Sequence, residues 1–370
     1  MKKGFTVLLV MFMVVASLAG CAGTGTPAAS DSPSASATVE PNGTATPAPT
    51  EAPKSFKVGW SIDTISTPFN AAEDEAIKKA FAKYPEITLY ATEAQAKTDK
   101  QISDIEDLVS KGIDLLIVKP RDEATLATVL TEVKNKGIPV ICMDRYVKDE
   151  NAFTTFIGSD NVQVGRFLAE EVVKATSGKA NIVFNEGTPG GSSYLDRIEG
   201  FNEYVKDYPD IKIIATQPCN AKRDEGKKVM ENWITAYGDQ IDVVISLTDE
   251  NTMGVIQAID ESSLKDKGIK VFSVNGAMEA LNEIKSGKID WIASYATGLH
   301  PAVEVAWAML NGLTDVPKEI IIPSFGVDAS NVELYYDANL YIVDYVEGGT
   351  PAYQEAIKNY PNLKDLEIRK

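Results

Sequence analysis

From Phe56 onward the chain alternates short apolar runs with amphipathic stretches of helical period, a pattern that few folds accept. The runs are Phe56–Ile62, Ile87–Tyr90, Leu115–Val118, Val140–Met143, Thr155–Ile157, Asn181–Phe184, Ile211–Ala215, Val243–Leu247, Lys270–Val274 and Trp291–Tyr295. Several, such as Leu115-Leu116-Ile117-Val118, are apolar throughout rather than alternating. Continuous apolar strands belong to parallel sheets covered by helices on both faces. Between the runs lie helical segments. Asn70–Phe81 sets Ala71, Ile77, Ala80 and Phe81 roughly on one face, and Lys100–Val109 gathers Ile102, Ile105 and Leu108 or Val109. Val162–Val173, Lys222–Trp233, Asn251–Ile259 and Ala302–Leu310 behave similarly. Repetition of strand and helix at this length gives parallel sheets with right-handed crossovers. Gly112, Gly137, Gly178, Gly268 and Gly287 each separate a helical stretch from the next strand, where a helix C-terminal cap favours glycine. The expected class is α/β, with two doubly wound parallel-sheet lobes rather than one large sheet.

The first 54 residues lack this pattern. Lys2 and Lys3 precede an apolar run, Phe5 to Leu18, that is too short for a membrane span. The small residues Ala19 and Gly20 then lead into Cys21. This segment resembles a bacterial lipoprotein signal, which implies removal of residues 1–20 and a lipid on Cys21. An ordinary secretory signal, with Cys21 incidental, is the alternative. Residues 21–54 are built largely of Ala, Ser, Thr, Pro and Gly. Such a stretch buries too little apolar surface to offset its ordering entropy, and the expectation is a flexible tether. The expected location is extracytoplasmic, lipid-anchored to the bacterial cell membrane, with no membrane contact besides the anchor.

Roughly 315 residues remain, enough for two domains of ordinary size. The formal net charge is −17, from 53 acidic and 36 basic residues. A chain so acidic lacks the basic face that phosphate backbones require, so nucleic acid is excluded as a partner. Of the three cysteines, Cys142 lies in an apolar run and Cys219 in a turn-like stretch. Free thiols are expected, with a disulfide possible but not indicated. No metal-ligand spacing occurs, so no metal and no cofactor is expected. The single histidine, His300 beside Pro301, gives a Ser-His-Asp triad or a multi-histidine zinc site little material. It suits a helix start, as a cap or surface residue. The glycines of Glu186-Gly187-Thr188-Pro189-Gly190-Gly191 are equally consistent with an anion-binding turn and with an ordinary strand-to-helix loop.

Open parallel sheets bind ligands beyond the carboxyl ends of their strands. The residues there are Asp63 to Asn70, Lys119-Pro120-Arg121, Asp144-Arg145-Tyr146, Asn185-Glu186-Gly187, Thr216 to Asn220, Thr248-Asp249-Glu250, Asn275-Gly276 and Ser294-Tyr295. They are rich in groups that hydrogen-bond both ways and include a few rings. Sugar hydroxyls, each donor and acceptor, need such partners.

Across residues 56 to 345 the chain resembles the periplasmic substrate-binding proteins of the ribose/galactose type that serve ABC importers. The resemblance is carried by Ser66-Thr67-Pro68-Phe69-Asn70, by Gly137-Ile138-Pro139-Val140-Ile141-Cys142-Met143-Asp144-Arg145 and by Ile157-Gly158-Ser159-Asp160-Asn161. Leu195-Asp196-Arg197-Ile198-Glu199-Gly200-Phe201, Thr248-Asp249-Glu250 and Val274-Asn275-Gly276 complete it. It implies a type I fold: two lobes joined by a three-segment hinge and closing on one small ligand. The crossings fall near Gly158–Asp160, Ser294–Ala296 and Pro323–Gly326. The lobes become 55–158 plus 296–324, and 159–295 plus 325–370. The tail from Asp344 to Lys370 is longer than the family leads one to expect, with a helix expected around Tyr353–Asn359. A small-molecule sugar or polyol and ABC permease subunits are the implied partners, and a monomer is expected.

Site residues carry over position by position. Phe69 matches an aromatic that stacks on the sugar ring. Asp144 and Arg145 match the acid-base pair that grips ring hydroxyls, a carboxylate accepting and a guanidinium donating in a fixed fork. Arg197 matches an arginine reaching in from the second lobe, and Asn275 a hydroxyl-binding aspartate or asparagine. Thr67 and Thr248 stand where asparagine is common, Asn70 where an aromatic is, and Ser294 where a longer amide is. Because Thr248 is smaller, either Asp249 takes over part of its work or a water fills the gap. These departures make the pocket roomier or differently polar than a ribose site, with Trp60, Tyr146, Tyr194 and Tyr295 as candidates for replacement rings. Pentose, hexose, sugar alcohol, furanose signal and nucleoside all remain open.

The same fold also serves sensors that present ligand to a chemoreceptor or histidine kinase. A glycoside hydrolase would need a carboxylate pair, for which Asp144, Asp249 and Glu186 are the material, but nothing in their spacing requires it, and no enzymatic activity is expected. A gene regulator with this effector fold would carry a basic DNA-binding head, which is absent, and would lack a secretion signal.

Overall fold

The computed structural model describes residues 54–338 together with 341 and 342. The signal, almost all of the tether and the tail helix expected at Tyr353–Asn359 lie outside them. The first sheet is built from β1 (Phe56–Ile62), β2 (Ile87–Glu93), β3 (Leu115–Lys119), β4 (Val140–Met143) and β5 (Thr155–Gly158). Their connections are α1 (Pro68–Phe81), α2 (Thr98–Ser110) and α3 (Ala127–Asn135). The chain then leaves this sheet through α4 (Asn161–Thr176) and builds the second from β6 (Ala180–Glu186), β7 (Ile211–Pro218), β8 (Val243–Ser246), β9 (Lys270–Asn275) and β10 (Trp291–Ser294). Here α5 (Ser192–Val205), α6 (Arg223–Tyr237), α7 (Asp249–Asp260) and α8 (Met278–Lys285) make the crossovers. It returns to the first lobe with α9 (Leu299–Leu310) and β11 (Glu319–Ile321), then crosses again to β12 (Gly326–Val327).

The sheets are six-stranded, ordered β11-β5-β4-β3-β1-β2 and β12-β10-β9-β8-β6-β7. All pairings are parallel except β10 with β12. Each lobe thus repeats one winding, second-first-third-fourth-fifth, and reverses between its first and third strands, the crevice where such sheets bind ligands.

Burial explains the continuous apolar runs. In β3, Leu115 and Ile117 enter one core with Trp60, Ile77 and the α9 residues Leu299 and Val303. Leu116 and Val118 enter another, with Ile105, Leu130 and Cys142, on the opposite face. In β8, Val244 and Val243 part in the same way. Gly112, Gly137, Gly178, Gly268 and Gly287 all take positive φ.

The expected strands and helices are present, with ends shifted by a few residues. Sequence periodicity did not pick out β11, β12, α3, α5 or α8. The two strands are only three and two residues long, too short for any period to show. Cys142 and Cys219 are both buried free thiols, and His300 lies in the first turn of α9. Among the described residues no helix is long and apolar enough to cross a membrane.

The chain passes between sheets three times: from β5 to α4, from β10 to α9, and from β11 to β12. One side chain ties the three passages. Ser159 Oγ donates to Ala296 O and accepts from Ala296 N, both at 3.1 Å, and lies 3.3 Å from Ser324 Oγ, which donates to it.

Candidate functional site

The carboxyl ends of both sheets face one cavity of about 240 Å³. The first lobe lines it with Thr67, Phe69 and Asn70 at the start of α1, Lys119 and Arg121 after β3, and Asp144 and Arg145 after β4. The second lobe contributes Tyr194 and Arg197 from α5, Thr248 before α7, Asn275 at the end of β9 and Tyr295 after β10.

The backbone aims several of these groups. Thr67 caps α1, its Oγ1 accepting from Asn70 N at 3.3 Å, with Pro68 in the first turn, where a missing N–H is harmless. Thr248 does the same for α7 through Asn251 N. Asp144 and Asn275 close the fourth strand of each lobe, and both hold positive φ, 66° and 127°. Non-glycine residues store strain there, and such strain persists only where the surroundings enforce it.

Lys119 organises the first lobe. Its buried Nζ lies 2.6 Å from Glu73 Oε2, 2.7 Å from Asp144 Oδ2 and 3.1 Å from Asn70 Oδ1, so its three donors meet three acceptors. It also sits 5.0 Å from the centre of the Phe69 ring. Arg145 donates from Nη1 to Asp63 Oδ2 at 3.0 Å. Burial alone would raise the pKa of Asp144, but Lys119 and Arg145 outweigh it and hold the carboxyl below its ordinary range. Asp144 is therefore an ionised acceptor. Glu73 is deeper still; burial pushes it up to about 7 despite Lys119.

In the second lobe Arg197 is fully buried, its Nε donating to Asn161 Oδ1 and its Nη1 to Leu247 O, each at 2.9 Å. Its guanidinium carbon lies 4.3 Å from the Tyr295 ring centre and 5.6 Å from that of Tyr194. Arg145 reaches the same Tyr194 ring at 5.4 Å. The lobes touch directly. Tyr295 donates its hydroxyl to Asp144 O at 2.8 Å, and Tyr146 donates from its hydroxyl to Asp196 Oδ2 at 2.7 Å and from its N–H to Ser192 Oγ at 3.1 Å. This is a closed arrangement.

Of the residues expected from sequence, the cavity gathers Thr67, Phe69, Asn70, Asp144, Arg145, Arg197, Thr248 and Asn275. Asp249 and Ser294 do not line it. Asp249 turns inward, accepting from Gly276 N at 2.9 Å, Ala277 N at 2.7 Å and Ser273 Oγ at 2.5 Å, and so shapes the loop that carries Asn275. Burial pushes its pKa up to about 7. Ser294 Oγ accepts from Phe325 N at 2.8 Å and belongs to the hinge. Among the candidate rings, Tyr194 and Tyr295 line the cavity, whereas Trp60 is core, donating to Asp74, and Tyr146 bridges the lobes. Asp249 turns away and Glu186 lies outside the lining, so of the three carboxylates weighed for a glycosidase only Asp144 faces the cavity. Among the described residues no cluster of His, Cys, Asp and Glu is arranged to hold a metal.

Sequence reasoning missed Lys119 as a site residue. Its signal was a lysine ending an otherwise apolar strand, where a buried charge is rare unless paired.

The family described as periplasmic binding protein domain matches residues 58–314. The chain belongs to this family. It is 35% identical over 237 residues to the galactofuranose-binding protein of Escherichia coli (strain K12), covering 62% of this chain and 74% of that one. It is 30% identical over 258 residues to the xylitol-binding protein of Mycolicibacterium smegmatis, covering 69% and 72%. A solved ABC transporter solute binding protein from Bacillus halodurans C-125, with bound myo-inositol, superposes with a TM-score of 0.72 at 28% identity. That superposition covers 77% of this chain and 99% of its counterpart. These relatives of the periplasmic binding protein are named for binding rather than for catalysis.

Proposed function

We propose that this periplasmic binding protein captures a monosaccharide or a related small polyhydroxylated ligand between its lobes and delivers it to an ABC permease. The observation that carries this reading is the single cavity shared by Asp144 and Arg145 from one lobe and Arg197 and Asn275 from the other. A cavity of about 240 Å³ matches a small ligand, below the range of drug-sized pockets. Its lining also matches one ring with several hydroxyls: Asp144 accepts, the guanidinium forks donate, Asn275 does both, Thr67, Asn70 and Thr248 add shorter polar contacts, and Phe69 covers an apolar ring face.

The lobes act as 55–158 with 296–324 and 159–295 with the remainder, and the molecule works as a monomer. An open form offers two half-sites, and the ligand touches both only after closure, so binding shifts the population toward the closed form. The closed surface then docks on the permease. The motif ending at Cys21 supports cleavage after residue 20 and a lipid anchor there, with residues 21–54 as a tether.

Thermal melting of the full chain against monosaccharides, polyols, sugar acids and nucleosides tests this reading. A ligand at about a hundred times its Kd adds about 2.7 kcal/mol of stability, a rise in Tm of roughly 5–10 °C. No shift with any member of the panel overturns it. Metabolic labelling with a fatty acid that survives Cys21→Ala overturns the anchor.

A further inference from the structure

We propose that Glu250 is a ligand-contacting residue that sets specificity: its carboxylate, on the second lobe, accepts from a ligand hydroxyl, opposite those that Asp144 takes on the first. The inference rests on the sugar-binding reading above and adds a named contact to it.

The first observation is placement. Among the described residues that line the cavity, Asp144 and Glu250 are the two carboxylates, one from each lobe. Glu250 stands in the first turn of α7, two residues after the cap Thr248 and next to Asp249. Successive helical residues point about 100° apart. Asp249 turns to the amides of Gly276 and Ala277, and Glu250 faces the cavity instead. An acidic residue at a helix start suits the helix dipole. That effect needs no burial, yet the Glu250 side chain is 12% exposed.

The second observation is that this carboxylate has only long contacts with the protein. Arg223 Nη2 lies 3.4 Å from Oε2, and the Tyr341 hydroxyl lies 3.4 Å from Oε1. Both exceed the usual range of roughly 2.5–3.2 Å. Arg223 commits its short bonds elsewhere, Nη1 and Nη2 donating to Glu279 Oε1 and Oε2 at 3.0 and 2.6 Å as a bidentate pair. Asp144, by contrast, holds Lys119 Nζ at 2.7 Å. A carboxylate accepts roughly four bonds, and taking it out of water without them is unfavourable. A ligand hydroxyl aimed at Glu250 supplies the missing donor. Its neighbours on that wall have other duties: Thr248 Oγ1 accepts from Asn251 N, and Tyr295 donates to Asp144 O.

The ligand must then carry hydroxyl donors on both sides, for Asp144 and for Glu250. An analogue without the hydroxyl that meets Glu250 leaves the carboxylate unpaired and is rejected, as sites built to hydrogen-bond a hydroxyl reject substrates lacking it.

Calorimetry on the full chain tests this with the tightest binder among galactose, glucose, ribose and myo-inositol, and with its single-deoxy derivatives. On the unaltered protein at least two derivatives should bind tenfold or more weaker than the parent. Glu250→Met should weaken the parent tenfold or more and cut the penalty for one of those derivatives to less than threefold, leaving the other penalty in place. Arg223→Met removes a protein contact of Glu250 but no ligand acceptor, and should keep every penalty. A loss of parent affinity below tenfold in Glu250→Met overturns the proposal, because no contact was removed. A uniform loss with every penalty unchanged also overturns it, because the role is then structural. So does tighter binding of glucosamine or galactosamine than of its parent, which makes the donor an ammonium. If Glu250→Met fails to fold, Glu250→Gln, equal in shape, should cut the same penalty threefold or more. Failure of both to fold makes Glu250 structural and overturns the proposal. All of these results leave the sugar-binding reading intact, whereas absence of heat with every parent sinks both.

Discussion

Ser159 and Ala296 exchange two hydrogen bonds through one hydroxyl, joining the first and second passages between the lobes, and Ser324 of the third passage donates to the same oxygen. All of these lie where the chain crosses between the sheets, the place at which a rotation of the lobes would displace atoms least. Ser159→Ala should leave the Ala296 N–H buried without a partner, at about 1–3 kcal/mol. Denaturant unfolding should show that loss, while the Kd for the ligand changes less than about threefold, the outcome expected of bonds that persist when the lobes part. A much larger change in Kd would mean that they form only on closure.

At the mouth of the cleft, Tyr146 of the first lobe donates to Asp196 of the second, a contact that requires the lobes to be together. Burial, the largest influence, together with the neighbouring Glu123 and Glu199, raises Asp196 to about 6 even though Tyr146 and Arg197 favour its ionised form. Were parting of the lobes to expose Asp196, its carboxyl would fall back toward the ordinary 3.8. The closed form thus binds more protons than the open form between those values, so closure is favoured as pH falls and disfavoured as pH rises to about 6, with no further change above. Ligand affinity should increase by about tenfold or less between pH 7 and pH 5, the partial exposure of Asp196 limiting the effect. Asp196→Asn should flatten this dependence, which titration at several pH values measures.

Lys119 and Glu73 form the most deeply buried ion pair of the first lobe. Lys119→Met should destabilise the fold by about 3–5 kcal/mol, because it strands Glu73 and removes one counter-ion from Asp144. Adding Glu73→Leu should recover at least half of that loss in the same denaturant assay. Glu73 supplies a further test. Its folded pKa of about 7 lies above the ordinary 4.5, so its neutral form is favoured in the fold. It contributes stability at low pH that is lost as pH rises from 4.5 through 7. Glu73→Gln should remove that part of the pH profile.

The architecture was legible because burial writes itself into composition. Leu115 to Val118 serve two cores at once, so no polar residue is tolerated among them, and Gly137 marks a left-handed turn that other residues take only under strain. The cavity lining was legible in part, since residues following strands converge by topology alone. What sequence order does not encode is where a side chain turns. Asp249 and Thr248 are neighbours after β8, yet one faces the cavity and the other the loop amides of Gly276 and Ala277. Ser294 adjoins the cavity residue Tyr295 but serves Phe325. Lys119 was hidden for another reason: its role depends on Glu73, distant in sequence, and only the folded chain brings the two together.

Arg197 depends on the close approach of α4 and α5. A methyl group at Gly165 would lie 2.1 Å from Arg197 O, and one at Gly200 would lie 2.0 Å from Val162 O, so each helix needs glycine where it meets the other. Backbone cannot yield as a flexible side chain does. Gly165→Ala must therefore push α5 outward, and Arg197 with it. The expected loss of stability is about 1–3 kcal/mol or more, together with a fall in ligand affinity of about tenfold or more as the guanidinium leaves its place. Gly137→Ala is the proper control. Its φ of 82° strains an alanine, but nothing lies within 4 Å of the added methyl, so it should cost about 1–2 kcal/mol without altering affinity. Melting curves and calorimetry on both variants separate the two outcomes. Equal loss of stability with unchanged affinity in both would show that the α4–α5 contact supports the fold but does not position Arg197.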